Sequence, residues 1–343
     1  MLERRKTKPL AQMTEVHGQD QPQKKWRWGV NRWWILLFTI LGAVGVNLFA
    51  PVRPHIQVAP ERILEEPLFT LPVIGDFYLV NSLTAMLVVD LVIILLALAV
   101  RNTLRDGSLV PKGIAAAVEA LIEVLYNLTE TSAGKWVKTI FPWFATIVLL
   151  VLVTNLIKLL PGFETIGVLH HFDHGQEVQS LGGKWFNLLP EEAEHSGYIV
   201  TPFLRGPSTD LNFTLALALI SVVMTQVIGI QAQGARYFSK FLNFTTLFKK
   251  PFFGFIDFAV GLLETISELA KILSFSFRLF GVMFSGVVLV ALVGTLVPVF
   301  MPSLIYAFEV FMGLIQAFVF GMLTMVFMAQ ATQGHGAEDH GEH

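Results

Sequence analysis

Apolar runs at 78–100, 141–160, 211–230, 252–300 and 303–330, with a shorter one at 35–50, alternate with polar stretches along the chain. Inside lipid every backbone polar group must be paired within the structure, which leaves helices or a closed barrel. Barrel strands run to about 10 residues. These runs are much longer, so the pattern predicts helices. The expected fold class is an all-α polytopic membrane protein with about six membrane helices. At ~1.5 Å per residue across ~30 Å of hydrocarbon, the run 252–300 exceeds one upright span. It is either two spans or one strongly tilted helix. No strong turn signal interrupts it between Gly286 and Pro298. That favours two long tilted helices, this one and 303–330, packed as a hairpin around 298–302.

The pattern divides the chain into a basic arm (1–34), a short apolar segment (35–50), a proline-rich external loop (51–77), a membrane core (78–331) and a polar tail (332–343). Trp26, Trp28, Trp33 and Trp34 stand beside the short segment, as an interfacial aromatic belt does. That segment reads either as a cleaved signal peptide or as a retained signal anchor. Leu48 before Ala50 makes a poor cleavage site and the preceding arm is long, which favours the anchor. After the turn at 106–113, IAAAVEALIEVLYNLTE has helical periodicity with Glu119 and Glu123 four apart. It is predicted as an amphipathic helix on the cytoplasmic surface. The arm, 101–112 and 236–250 are basic, whereas 162–210, predicted as a long polar external loop, has only Lys184 and Arg205 among its acids. The positive-inside rule then puts both termini in the cytoplasm.

Composition agrees with the membrane class: 54% of residues are hydrophobic and 15% charged, against ~25% charged in soluble domains. A net charge of -2 gives no sign of a nucleic-acid partner. The absence of cysteine excludes disulfides and thiolate chemistry. The sequence carries neither a glycine-rich phosphate loop nor a nucleophile constellation, so the chain is not expected to hydrolyse ATP by itself, and no cofactor is implied.

The chemistry concentrates in 261–286, where Glu264, Glu268, Lys271 and Arg278 interrupt an apolar, proline-free run. Ionisable residues at membrane depth are costly and mark functional sites. Positions 264, 271 and 278 are seven apart, and Ser267, Lys271, Ser274 and Arg278 alternate steps of four and three, which places them on roughly one helix face. Gly281 and Ser285 continue that face, and small residues there let another helix approach the guanidinium. The competing reading of Glu264, Glu268 and Lys271 is a salt-bridge set within the helix.

LSFSFRLFG at 273–281, followed by Ser285 and Gly286, resembles the arginine helix of subunit a of the rotary F-type ATP synthase. LIQAFVFGMLTMVFMAQA at 314–331 resembles that family's last helix, and TNLIKLLPGF at 154–163 and PSTDLNFTLALAL at 207–219 resemble its two middle-helix signatures, in the same order. The resemblance spans about 69–331. It implies a stator subunit against a ring of c subunits and beside the subunit b stalk, the remaining synthase subunits and membrane lipid; the long basic arm and the positive-inside pattern favour a bacterial inner membrane. It implies that two half-channels deliver protons to and from ring carboxylates. Arg278 takes the place of the essential arginine, and Gly281 and Ser285 would contact the ring. Glu264, Glu309, Gln316, Ser274 and Asn212 are the proton-path candidates, with Glu309 in the external half-channel and Gln316 beside the arginine. No metal site is implied. Two departures stand out: Val282 replaces the family's asparagine, and Val287 occupies a site that is polar in some members, which leaves Glu309 as the inlet carboxylate.

Three features fall outside that scheme. Asp90, mid-span, reads equally as a path residue or as a carboxylate bonded between helices. Lys158, at the end of its span, reads as snorkelling to the interface, which is favoured, or as part of the ion path. HHFDH, with His170, His171 and His174, invites a metal reading, but a solvated loop is favoured. A self-contained secondary transporter is the alternative function. Such folds carry internal repeats and broken midplane helices, and no convincing repeat is present.

Overall fold

The computed structural model describes residues 57–105, 113–234, 237, 251–296 and 301–333, except 65, 73–74, 161, 174, 184 and 193–196, together with scattered positions between 32 and 44. Six long helices make up most of it: α1 (Asn81–Arg105), α2 (Ile114–Ala133), α3 (Val137–Ile157), α4 (Leu211–Gln233), α5 (Pro251–Leu296) and α6 (Met301–Thr332). Five stretches among the described residues are long and apolar enough to cross a membrane, α2 and α3 counting as one. The chain is therefore a multi-pass membrane protein. The predicted span at 35–50 and the turn at 297–300 lie, wholly or mostly, outside the described residues.

The choice left open over 252–300 resolves to a single helix. α5 runs unbroken for 46 residues, about 69 Å at ~1.5 Å per residue, and packs against both α4 and α6. α2 lies between two left-handed glycines, Gly113 (φ 64°) and Gly134 (φ 51°). It keeps Glu119 and Glu123 exposed while burying Ala115, Leu125 and Thr129, the amphipathic division its periodicity predicts.

α3 is the central helix, and its closest partner is α6. Gly313, Ala317 and Gly321 on α6 recur every four residues and are all buried. A Cβ at Gly321 would overlap Val148, and one at Gly313 would press on Asn155. Such spacing of small residues lets two membrane helices approach closely. The core then fills around α3, with Phe144, Ile228, Met325 and Met328 toward one end and Val151, Leu217, Leu279 and Phe320 at mid-depth. Two hydroxyl pairs stitch α4 to its neighbours: Ser221 to Thr324 at 2.7 Å and Thr214 to Ser276 at 3.1 Å.

The stretch 162–210 is not the loop its polarity predicts. It folds as a four-stranded antiparallel sheet of β3 (Gly167–Phe172), β4 (Gln176–Gly182), β5 (Trp185–Glu192) and β6 (Gly197–Pro202), in the order β3-β6-β4-β5. Earlier in the chain, β1 (Phe69–Leu71) and β2 (Gly75–Phe77) form a small hairpin. The larger sheet joins the end of α3 to the start of α4 and so marks one end of the bundle. There Arg205 donates to the carbonyls of Ala59 (2.8 Å) and Gln57 (2.6 Å), tying 57–61 across the start of α4. Asp210 caps α4 by accepting from the Asn212 backbone N–H at 2.9 Å, and it takes a hydrogen bond from the Ser82 hydroxyl.

Candidate functional site

Arg278 lies on the outward face of α5. The heptad face read from sequence is exposed in the fold at Ser274, Arg278, Gly281 and Ser285. The opposite face, with Phe275, Leu279 and Met283, is buried against α3, α4 and α6. The guanidinium reaches Ser274 Oγ at 3.5 Å, and no carboxylate among the described residues comes within ion-pair distance of it. A Cβ at Gly281 would meet nothing within 4 Å, so the surface beside the arginine is open.

Two polar clusters flank this point along α5. At the sheet end, Asn155 Nδ2 donates to the Gly313 carbonyl (3.1 Å) and its Oδ1 accepts from Ser208 (2.6 Å). One turn on, Lys158 turns inward. Its Nζ lies 3.6 Å from Glu309 Oε1 and 3.4 Å from the Met283 carbonyl. This corrects the snorkelling expectation: the side chain is buried, because a carboxylate on α6 and a carbonyl on α5 wait inside the bundle where its position suggested open interface. Glu309 is itself buried, and its carboxylate rests on Gly286, where any Cβ would overlap Oε1.

At the opposite end, Lys271 Nζ pairs with Glu268 Oε1 at 2.9 Å and lies over the Phe327 ring at 4.6 Å. The within-helix ion pair is therefore real for these two, while Glu264 is half-buried one turn earlier. Tyr237 packs beneath Gly229 and donates to Gln226 Oε1 at 2.7 Å. Burial, then the nearby charges of Glu268 and Glu264, push its hydroxyl up to about 12. Arg278 sits between the clusters, about 10 Å along the helix from Lys271 and about 7 Å from Met283.

Of the remaining sequence candidates, Gln316 is buried on α6 on the side that faces the core, whereas the Asn212 side chain is exposed. The inward face of α4 starts at Thr214, Leu217, Ala218 and Ser221 and continues through Val222, Thr225 and Ile228. Asp90 is half-buried on α1. His170 and His171 lie in β3, where the His171 ring is tilted 38° against that of Tyr198 at 4.2 Å between centroids. His174 is outside the described residues, and among those described no three His, Asp or Glu side chains gather as metal ligands. Sequence reasoning placed Lys158 at the interface and did not single out Tyr237. The signal for Lys158 was its i,i+3 spacing from Asn155 in TNLIK, which puts both on one face.

A membrane bundle with an outward arginine between two polar clusters belongs to the ion-translocating class. Comparison with known proteins makes that specific. The family model described as ATP synthase A chain matches residues 82–329, and the chain belongs to this family. Similar proteins include ATP synthase subunit a of Moorella thermoacetica, 27% identical over 245 residues (71% of this chain, 88% of the relative). That of Campylobacter jejuni subsp. doylei is 28% identical over 253 residues (72% and 90%). A relative from Propionigenium modestum, described as ATP synthase subunit a, sodium ion specific, is 27% identical over 249 residues (69% and 70%). As a family member the chain is part of an F-type ATP synthase complex and serves its ion-translocating stator.

Proposed function

We propose that this chain carries protons between two half-channels and a ring of c subunits in a bacterial inner membrane, with Arg278 as the charge that separates the two paths. The observation that carries the reading is the exposed arginine on α5, between a sheet-end cluster around Glu309 and an opposite cluster around Glu264, Glu268 and Tyr237. Arginine stays protonated in proteins, so Arg278 shuttles no proton. It attracts the carboxylate of an arriving ring subunit and favours its ionised form. The basic stretch 236–250 precedes α5, so the opposite cluster faces the cytoplasm and the sheet end faces outside. α5 and α6 form a tilted hairpin against the ring, with Gly281 and Ser285 at the contact, Glu309 on the external path, Gln316 beside the arginine, and the subunit b stalk holding the stator.

The test is a cross-link. Cysteine at Gly281 or Ser285, paired with cysteine beside the membrane carboxylate of a ring subunit, should form a disulfide on oxidation. Rotation should stop and should return on reduction. Efficient cross-linking to another helix of this chain, with none to any ring subunit, would refute the reading.

A further inference from the structure

Glu309 is 7% exposed, and its Oε1 accepts no hydrogen bond among the described residues. Three features bound that oxygen. Gly286 leaves the space it occupies. Lys158 Nζ stands 3.6 Å away. Glu164 and Tyr306 are the other titratable groups that bear on the carboxylate, Glu164 from the segment after α3 and Tyr306 from α6 itself. The lysine is held at both ends. Its stem passes Gly206, where a Cβ would lie 3.0 Å from Cδ, and its head donates to the Met283 carbonyl at 3.4 Å. Gly206 is fixed in turn by its N–H, which donates to Glu164 Oε1 at 2.9 Å.

Charge-assisted N–H···O bonds close to ~2.7–2.9 Å, and the Lys158–Glu309 contact is well outside that range. At 3.6 Å the ammonium acts on the carboxylate by charge, and Oε1 accepts no closed hydrogen bond from it. An ion pair serving stability alone would gain from closing.

We propose that Lys158 is a positioning residue of the external half-channel: its ammonium, anchored on the Met283 carbonyl, holds the Glu309 carboxylate on the seat that Gly286 leaves open. The proposal rests on Glu309 being the exchanging group of that half-channel. The Lys158 stem, bracketed by Gly206, sets where the charge stands, and Met283 ties that charge to the arginine helix. Lys158 itself need not exchange a proton.

The experiment is ATP-driven proton uptake by inverted membrane vesicles holding the complete complex, measured from about pH 6 to 9. Glu309→Gln should lower uptake at least about tenfold, and Lys158→Met should do so to a similar degree with a shifted pH profile. The double variant should be no more than about twofold worse than Glu309→Gln, because both changes act through one carboxylate. Lys158→Arg keeps the charge and should recover much of the rate. A normal rate and profile for Lys158→Met while Glu309→Gln is impaired would overturn the proposal, as would losses that multiply in the double variant. A normal rate for Glu309→Gln would instead overturn the reading of Glu309. If Lys158→Met does not assemble, Gly286→Ala displaces the carboxylate without removing a charge. It should give the same loss and shift, and a wild-type profile there would overturn the proposal.

Discussion

Replacing Arg278 by alanine should convert a coupled machine into a leak. The guanidinium stands on the outward face of α5 between two polar clusters, about 10 Å and about 7 Å away along the helix. A cation moving between the clusters along that face passes it at roughly 4 Å. With an effective dielectric of ~20, two unit charges at ~4 Å repel by about 4 kcal/mol. That corresponds to roughly a thousandfold in rate. Arg278→Ala removes this barrier and also the charge that draws the ring carboxylate. ATP-driven pumping should vanish, while passive proton flux through vesicles stripped of the soluble ATPase sector should rise by up to about a thousandfold. Fluorescent pH dyes would read pumping in vesicles that keep the soluble sector and passive flux in the stripped ones, and immunoblotting for the ring and this chain would establish assembly. An assembled variant with no more passive flux than wild type would refute the electrostatic argument, and one that still pumps would refute the role of the arginine altogether.

Two further outcomes follow from the geometry. Asn155→Ala removes the bonds to Ser208 and Gly313, at ~0.6 to 1.7 kcal/mol each in a membrane bundle. The complex should therefore dissociate at lower temperature in detergent, and an unchanged midpoint would show these bonds to be replaceable. Tyr237 keeps its proton to about pH 12 in the folded chain but ionises near pH 10 when unfolded. Its contribution to stability is therefore full below about pH 10 and is lost as pH rises toward 12. Ultraviolet difference titration of wild type against Tyr237→Phe should show the missing phenol ionising near 12, and ionisation near 10 would contradict its burial.

The helices were legible because apolar runs of such length have few alternatives in lipid. The arginine face was legible because a heptad spacing survives folding unchanged within one helix. The sheet at 167–202 was not. Its strands mix His, Gln, Ser, Asn and Glu with apolar residues without a clean alternation, and hydropathy reads such stretches as loop. A turn signal was present all the same. Gly182 and Gly183, both at positive φ (113° and 65°), join β4 to β5, and a Gly-Gly pair between VQSL and KWFNLL is a hairpin signature. Lys158 failed for a different reason. Whether a lysine at a helix end snorkels or turns inward depends on what the neighbouring helices present, and here the partner is a carboxylate 151 positions away. The exposed Asn212 has a local cause: Asp210 uses its backbone N–H for the cap, and the inward face of α4 starts at 214, 217, 218 and 221.

The interior of the bundle bears on where an ion could travel. Between the two polar clusters, the inward face of α5 consists of Phe275, Leu279 and Met283, packed on Val151, Leu217, Ala317 and Phe320. Among the described residues the polar contact from α5 into that layer is Thr214 with Ser276, two hydroxyls closed on each other at 3.1 Å. A route through the chain would have to cross this apolar layer, and stranding a charge there costs several kcal/mol even after relaxation. The outward face of the same helix offers Ser274, Arg278, the bare Gly281 and Ser285 at that depth. A fixed cation there repels a free proton but welcomes a carboxylate that brings its own proton and can surrender it. The packing and the charge thus favour one division of labour. On the function proposed above, this chain would supply the two polar ends and the barrier between them, and the middle of the journey would be made on a neighbouring carrier.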